Sequence, residues 1–132
     1  METIRYLTVE EVISINIYLI NRYSNKETAK VKEVGLLDSA INRPKQSAFG
    51  EDAYKTIIEK SSALFHSLTL NHAFHNANKR TAFTSMVQFL AYNSYHFTMD
   101  LDLAENFVVD VVNHKYNFDE VVNMVGQHSI KV

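Results

Sequence analysis

Nine consecutive residues, His72-Ala73-Phe74-His75-Asn76-Ala77-Asn78-Lys79-Arg80, bring together side chains that can hold an anion and move a proton. The stretch reads as a polar loop running into an amphipathic helix from Asn78 to about Asn93. Lys79 and Arg80 then fall in the first helical turn, where the macrodipole favours acids and a cation costs a few tenths of a kcal/mol. A bound anion removes that cost. The free N–H groups of a helix N-terminus already suit phosphate or carboxylate, and two cations beside them strengthen the site. Lys79 supplies a point charge and Arg80 a bidentate fork, both suited to the crowded charge of a transferring phosphoryl group. Asn78 is expected to cap the helix while keeping its amide for a phosphate oxygen. His72, just ahead of the anion site, is the candidate general base, because imidazole titrates near physiological pH. Phe74 is expected to anchor the loop in the core and so fix that imidazole, with His75 facing solvent and given no role. A plainer reading of the same residues is a helix-ending histidine and a solvated basic turn; their adjacency argues against it.

Other chemistries have less support. His66, His72 and His75 lack the helical i, i+4 pairing and the convergent carboxylate of a zinc site. No G-x-x-x-x-G-K-(S/T) phosphate loop is present, and the chain is too short for the protein-kinase signature set.

Helices are expected to position these residues, since three glycines and one proline give little turn punctuation. Thr8 and Glu11 read as a capping box opening a helix over 9–23, with Val9, Val12, Ile13, Ile17 and Ile20 at helical spacing. Ser24 to Val34 is polar, a loop or frayed turn. Leu36 to Asn42 reads as a short helix ended by Pro44, with a loop from Pro44 to Gly50. Glu51 and Asp52 are expected to open the next helix, which reaches about Leu70 on a stripe including Tyr54, Ile57, Ile58, Leu64, Phe65 and Leu68. Beyond the nine-residue segment, Ala82, Phe83, Met86, Val87, Phe89 and Leu90 face inward. Tyr95 to Met99 reads as extended. Asp102 with Glu105 is expected to cap one helix and Asn117 with Glu120 the last. The expected fold is all-α: one compact domain over residues 1–132, built from about six helices.

At 132 residues the chain can bury a core without staples, and it has no cysteine for disulfides or thiolate metal sites. Its net charge of −2 argues against direct nucleic-acid binding, so any nucleotide site must be local. The apolar run from Val12 to Ile20 is interrupted by Ser14 and Asn16 and lacks a basic flank. It therefore reads as neither signal peptide nor membrane span, and a cytoplasmic location is expected.

The nine-residue string resembles the Fic/Doc signature H-x-F-x-(D/E/N)-(G/A)-N-(G/K)-R, in the Doc branch that carries lysine after the second asparagine. Gly35-Leu36-Leu37-Asp38-Ser39-Ala40, Arg43-Pro44 and Phe49-Gly50 are similar to the Doc pattern upstream. Glu59-Lys60, Ala63-Leu64, Asn71-His72 and Lys79-Arg80-Thr81-Ala82 continue it, so the resemblance spans residues 1 to about 100. It implies a toxin of a toxin–antitoxin module that uses ATP and Mg2+ to phosphorylate a threonine of translation elongation factor Tu, with His72 deprotonating the hydroxyl. It further implies a Phd-type antitoxin acting in trans, and a flap at Pro44 to Gly50 near the active site. Lys79 crowds the nucleotide pose that glycine permits in the Fic branch, so the resemblance implies a reversed ATP with its γ-phosphate beside His72. AMP transfer to a protein hydroxyl, and a degenerate fold kept as a binding module, stay open as alternatives.

Two positions depart from the commonest pattern. Asn76 stands where many members carry the acid that holds magnesium, and its neutral carbonyl is a weaker ligand for a hard dication. Ala77 replaces a glycine, and its methyl is expected to be tolerated on the assumption that φ is negative there. The one Glu-Asn pair, Glu105-Asn106, has Leu101 four residues ahead, so the self-inhibitory (S/T)-x-x-x-E-(G/N) helix of many Fic proteins is not expected.

Overall fold

A computed structural model describes residues 3–132. Six α-helices run through the described residues, with two small two-stranded antiparallel sheets beside them. Helix α1 (Val9–Tyr23) opens on the expected capping box: the Thr8 hydroxyl accepts from Glu11 N at 3.1 Å, and the Glu11 carboxylate accepts from Thr8 N at 3.0 Å. Such a cap contributes about 1 kcal/mol. Helix α2 (Val34–Asn42) begins two residues before the expected Leu36, on a Glu33 that makes no side-chain cap. Pro44 does not break the chain into an open loop. It sits in the first turn of a short 3-10 segment, Arg43–Lys45, where its missing N–H is not needed.

The next element corrects the sequence reading. Glu51 and Asp52 do not start a helix; they form strand β2 (Glu51–Asp52), antiparallel to β1 (Ser47–Ala48). Phe49 and Gly50, at φ 55° and 78°, make the two-residue connection with both centres left-handed, the geometry that matches strand twist. Helix α3 (Ile57–Asn71) instead starts at Thr56, whose hydroxyl accepts from Glu59 N at 3.0 Å. The Thr56-x-x-Glu59 spacing carried this start, and the acidic pair upstream concealed it.

Helix α3 is buried on most of its surface, from Lys60 through Phe65 and again over Ser67, Leu68 and Thr69, which makes it the central helix. Its serines and Ala63 let α2 and α4 (Asn78–Tyr92) approach closely. Phe65 stacks on Phe107 of α5 (Leu101–Val112) with centroids 5.5 Å apart, and Phe107 meets Tyr116 edge-on. Helix α5 is capped by Asp100, which accepts from Leu103 N at 2.9 Å. The expected cap, Asp102, falls inside the first turn, where its charge complements the dipole instead. Helix α6 (Phe118–Gln127) opens on the expected Asn117–Glu120 capping box. Valine-rich α5 and α6 have low helix propensity and depend on the packing of Val108, Val111, Val121 and Val125 into the shared core. Tyr95–Phe97 is extended as expected; this strand, β3, pairs with a C-terminal strand, β4 (Ser129–Lys131), that the sequence did not suggest. Among the described residues no helix is long and apolar enough to cross a membrane.

Candidate active site

The packing of α3 on α4 brings the C-terminal end of one against the N-terminal start of the other, and the nine-residue segment spans that junction. His72 ends α3 in the left-handed conformation, φ 51° and ψ 49°, which costs a non-glycine residue ~1 kcal/mol. Ala73 and Phe74 then turn into the core, at 0% and 2% exposure, so Phe74 is the anchor its position suggested. Asn78 clamps the same residue: its Oδ1 accepts from Phe74 N at 3.0 Å and its Nδ2 donates to Phe74 O at 2.9 Å.

That clamp overturns the expected capping role of Asn78. The N-cap of α4 is Ala77, which has no side chain to give, and the first main-chain bond of the helix is Thr81 N to Ala77 O at 2.9 Å. The N–H groups of Asn78, Lys79 and Arg80 are thus left for a partner outside the helix. Ala77 itself lies at φ 61°, so its methyl is strained there, contrary to the expectation of a negative φ. Of Asn78's two amide N–H bonds one is spent on Phe74, and the second is the one available to a ligand.

A cleft of about 430 Å³ opens over this helix start, lined by His72, His75 and Asn76 to Arg80 on one side and by Ser24, Glu27 and Val112 on the other. His72, His75, Lys79 and Arg80 are exposed on it. The Arg80 guanidinium donates to Ser24 Oγ at 3.2 Å and lies 5.2 Å from the Tyr23 ring, so the end of α1 orients its fork. Lys79 makes no ion pair among the described residues and can swing toward a ligand. The geometry therefore gathers His72, Asn78, Lys79 and Arg80 around one volume. His66 lies elsewhere. It faces Arg43, whose guanidinium donates to His66 Nδ1 at 3.0 Å and to Ser67 Oγ at 2.9 Å. Burial, then the charges of Arg43 and His114, hold the His66 pKa below its ordinary value of 6.5.

Two further residues hold the loop from below and were missed in the sequence. Asn16, 1% exposed on α1, donates to Asn76 O at 2.9 Å and to Thr81 Oγ1 at 3.0 Å. Its signal was available: a polar residue on the apolar face between Val12 and Leu19–Ile20. Thr28 O accepts from Asn76 Nδ2 at 3.1 Å, and nothing in the polar stretch around it marked that contact. The Asn76 amide therefore spends its nitrogen on the protein, and its Oδ1 makes no hydrogen bond among the described residues. That oxygen is a hard donor of the kind magnesium takes alongside phosphate oxygens, and among the described residues Glu27 is the one acidic residue lining the same cleft.

The expected flap sits differently. None of the described residues from Pro44 to Gly50 lines the cleft. The base of the β1–β2 hairpin is fastened to buried Lys60, whose Nζ donates to Pro44 O at 3.3 Å and to Asp52 Oδ2 at 3.2 Å. Lys60 precedes His72 by twelve residues, ~18 Å of helix.

A central buried helix handing a histidine to the bare, cationic start of the next helix defines the class. Residues 6–90 match the Fic/DOC family, and the chain belongs to that family. A protein named Toxin Doc from Mycolicibacterium smegmatis is 37% identical over 94 residues, which cover 70% of this chain and 72% of that relative.

Proposed function

We propose that this chain is the toxin of a toxin–antitoxin module: a phosphotransferase that moves the γ-phosphate of ATP to a threonine of translation elongation factor Tu in the cytoplasm and arrests translation. The observation that carries the reading is the start of α4. Its N-terminal amides have no side-chain cap among the described residues, two cations sit beside them, and His72 lines the same cleft. An uncapped helix start carrying Lys79 and Arg80 is destabilised by roughly 1–2 kcal/mol relative to a capped, acidic one. A polyphosphate removes that penalty, so the stability given up in the free chain becomes ligand affinity. The relative named Toxin Doc supports the toxin assignment.

In this reading the amides of α4, Lys79 and Arg80 hold the nucleotide phosphates and neutralise the charge spreading over the transferred group. His72 takes the proton from the threonine hydroxyl as its oxygen forms the new P–O bond and the bond to ADP breaks. Phe74 and the Asn78 clamp keep the imidazole in place. Asn76 would help hold Mg2+, whose charge would be available to draw electron density from the phosphates.

The partner reading is a Phd-type antitoxin supplied in trans. Beside the cleft a second groove of about 640 Å³ runs between Tyr23, Phe83, Leu101 and Val108, and Lys79 and Arg80 belong to its walls too. Leu101 and Tyr23 are 79% and 59% exposed, an apolar surface of the kind an amphipathic segment covers. An antitoxin segment that orders there, at a cost of ~2–5 kcal/mol, engages both cations and keeps nucleotide and target out.

The test is a transfer reaction with elongation factor Tu and ATP labelled at either the γ or the α position. Label reaching the protein from γ alone supports phosphotransfer. Label from the α position selects AMP transfer, and none from either contradicts enzymatic activity on this target.

A further inference from the structure

The loop between α1 and α2 is zipped to the segment that carries the site. His75 N donates to Lys30 O at 3.0 Å, Lys32 N and Glu33 N donate to Ala73 O at 2.8 and 3.0 Å, and Val31 bridges to Phe74. The last tooth of the zip is the Asn76 Nδ2 bond to Thr28 O, 3.1 Å. Glu27 is the next residue along. Its N–H is closed on Ser24 O at 2.8 Å, and the residue lines the cleft together with Lys79 and Arg80. Yet Glu27 forms no ion pair with either cation, nor with any other among the described residues.

A carboxylate on the wall of a polyphosphate cleft repels the ligand unless a cation comes between them. The neighbouring Asn76 presents the complementary half of an answer. Its nitrogen is tied to Thr28, which leaves Oδ1 as an unspent oxygen donor on the same cleft. We infer that Glu27 and Asn76 Oδ1 together form the protein side of a divalent-cation site, with Glu27 supplying the negative charge that position 76 lacks. Magnesium bound with a nucleotide needs one or two protein oxygens, the rest of its octahedron coming from phosphate and water. No convergent group of three acidic, histidine or cysteine ligands occurs among the described residues, and a cation shared with phosphates does not require one. In this site the negative charge sits on the loop zipped against the anion loop, not on the anion loop itself. This inference rests on the proposed nucleotide reading of the cleft.

The competing role for Glu27 is a counter-ion that trims the charge of Lys79 and Arg80, and with metal present the two roles differ in sign. Calorimetry with a non-hydrolysable ATP analogue, once in EDTA and once with Mn2+, gives the metal's enhancement of affinity for each variant. Wild type is expected to bind the analogue more tightly with Mn2+. Glu27→Gln, at an exposed loop position, should bind the metal-free analogue more tightly, because the carboxylate's repulsion is gone, and lose on the order of tenfold of the metal-dependent gain, as disturbed metal surroundings do. Glu27→Asp, which keeps a carboxylate on the same loop and leaves the Asn76–Thr28 bond in place, should retain more of the gain than Glu27→Gln. Mn2+ electron paramagnetic resonance checks the count of bound metal independently of any turnover. An equal Mn2+ enhancement in wild type and Glu27→Gln overturns the inference, as does tighter binding by Glu27→Gln in both conditions. Failure of wild type to bind the analogue with or without metal overturns the nucleotide reading and this site with it.

Discussion

The side-chain amide of Asn78 and the backbone of Phe74 form a closed pair of hydrogen bonds, 3.0 Å into Asn78 Oδ1 and 2.9 Å out of its Nδ2. The pair fixes the loop to the helix it precedes, and so fixes His72 relative to Lys79 and Arg80. Asn78→Ala removes both bonds and is expected to cost about 1–3 kcal/mol of stability. The transfer rate should fall further than stability explains, since the base and the anion site are no longer held in register. Denaturant unfolding alongside single-turnover kinetics separates the two effects.

Ala77 at φ 61° holds a strained methyl that glycine lacks. Ala77→Gly should stabilise the fold by roughly 1 kcal/mol, relief of strain outweighing the extra freedom of the unfolded chain. Chemical denaturation midpoints measure this. A loss of stability would mean that the backbone at 77 is not left-handed.

His66 gives the fold a dependence on acid. A guanidinium only donates, so Arg43 requires a free lone pair on His66 Nδ1 and hence a neutral ring. The folded-state pKa lies below the ordinary 6.5, so the unfolded chain takes up the proton first as pH falls. Stability is therefore full above the ordinary pKa, falls as pH drops below it, and levels once the folded-state ring also protonates. His66→Asn keeps an acceptor near Nδ1 without titrating and should flatten this part of the stability–pH curve, read from melting temperatures across the range.

The groove beside the cleft makes Leu101 the residue whose change separates folding from inhibition. At 79% exposure on α5, Leu101→Asp should leave the fold intact. It should weaken antitoxin binding by roughly tenfold or more, as for loss of an apolar anchor. Titration with the antitoxin, followed as recovery of transfer activity, measures it.

Much of this was legible in the sequence for identifiable reasons. Capping boxes at Thr8–Glu11 and Asn117–Glu120 are local hydrogen-bond patterns, and they fixed helix starts to the residue. The all-α fold and the extended Tyr95–Phe97 followed from periodicity and scarce turn residues. Acidic residues misled where several compete: Glu51–Asp52 against Thr56, and Asp102 against Asp100. Only the tertiary hairpin and the extended backbone at Asp100 decide those cases. The nine-residue segment announced which residues meet in the cleft. It could not announce that Asn78 turns its side chain back onto Phe74, that Ala77 is left-handed, or that Glu27 joins from a loop 45 residues before His72. Those depend on how the α1–α2 loop is zipped across the site, a long-range pairing without a local signature.

The central claim is that His72 drives phosphate transfer to elongation factor Tu. Intact-protein mass spectrometry of elongation factor Tu, after incubation with ATP, Mg2+ and this chain, tests it most directly. The account predicts a single phosphate-sized increment with the wild-type chain, and with His72→Ala a rate lower by about 10²–10⁴-fold, the usual loss for a general base. An AMP-sized increment, no increment, or an undiminished phosphate increment with folded His72→Ala would contradict it.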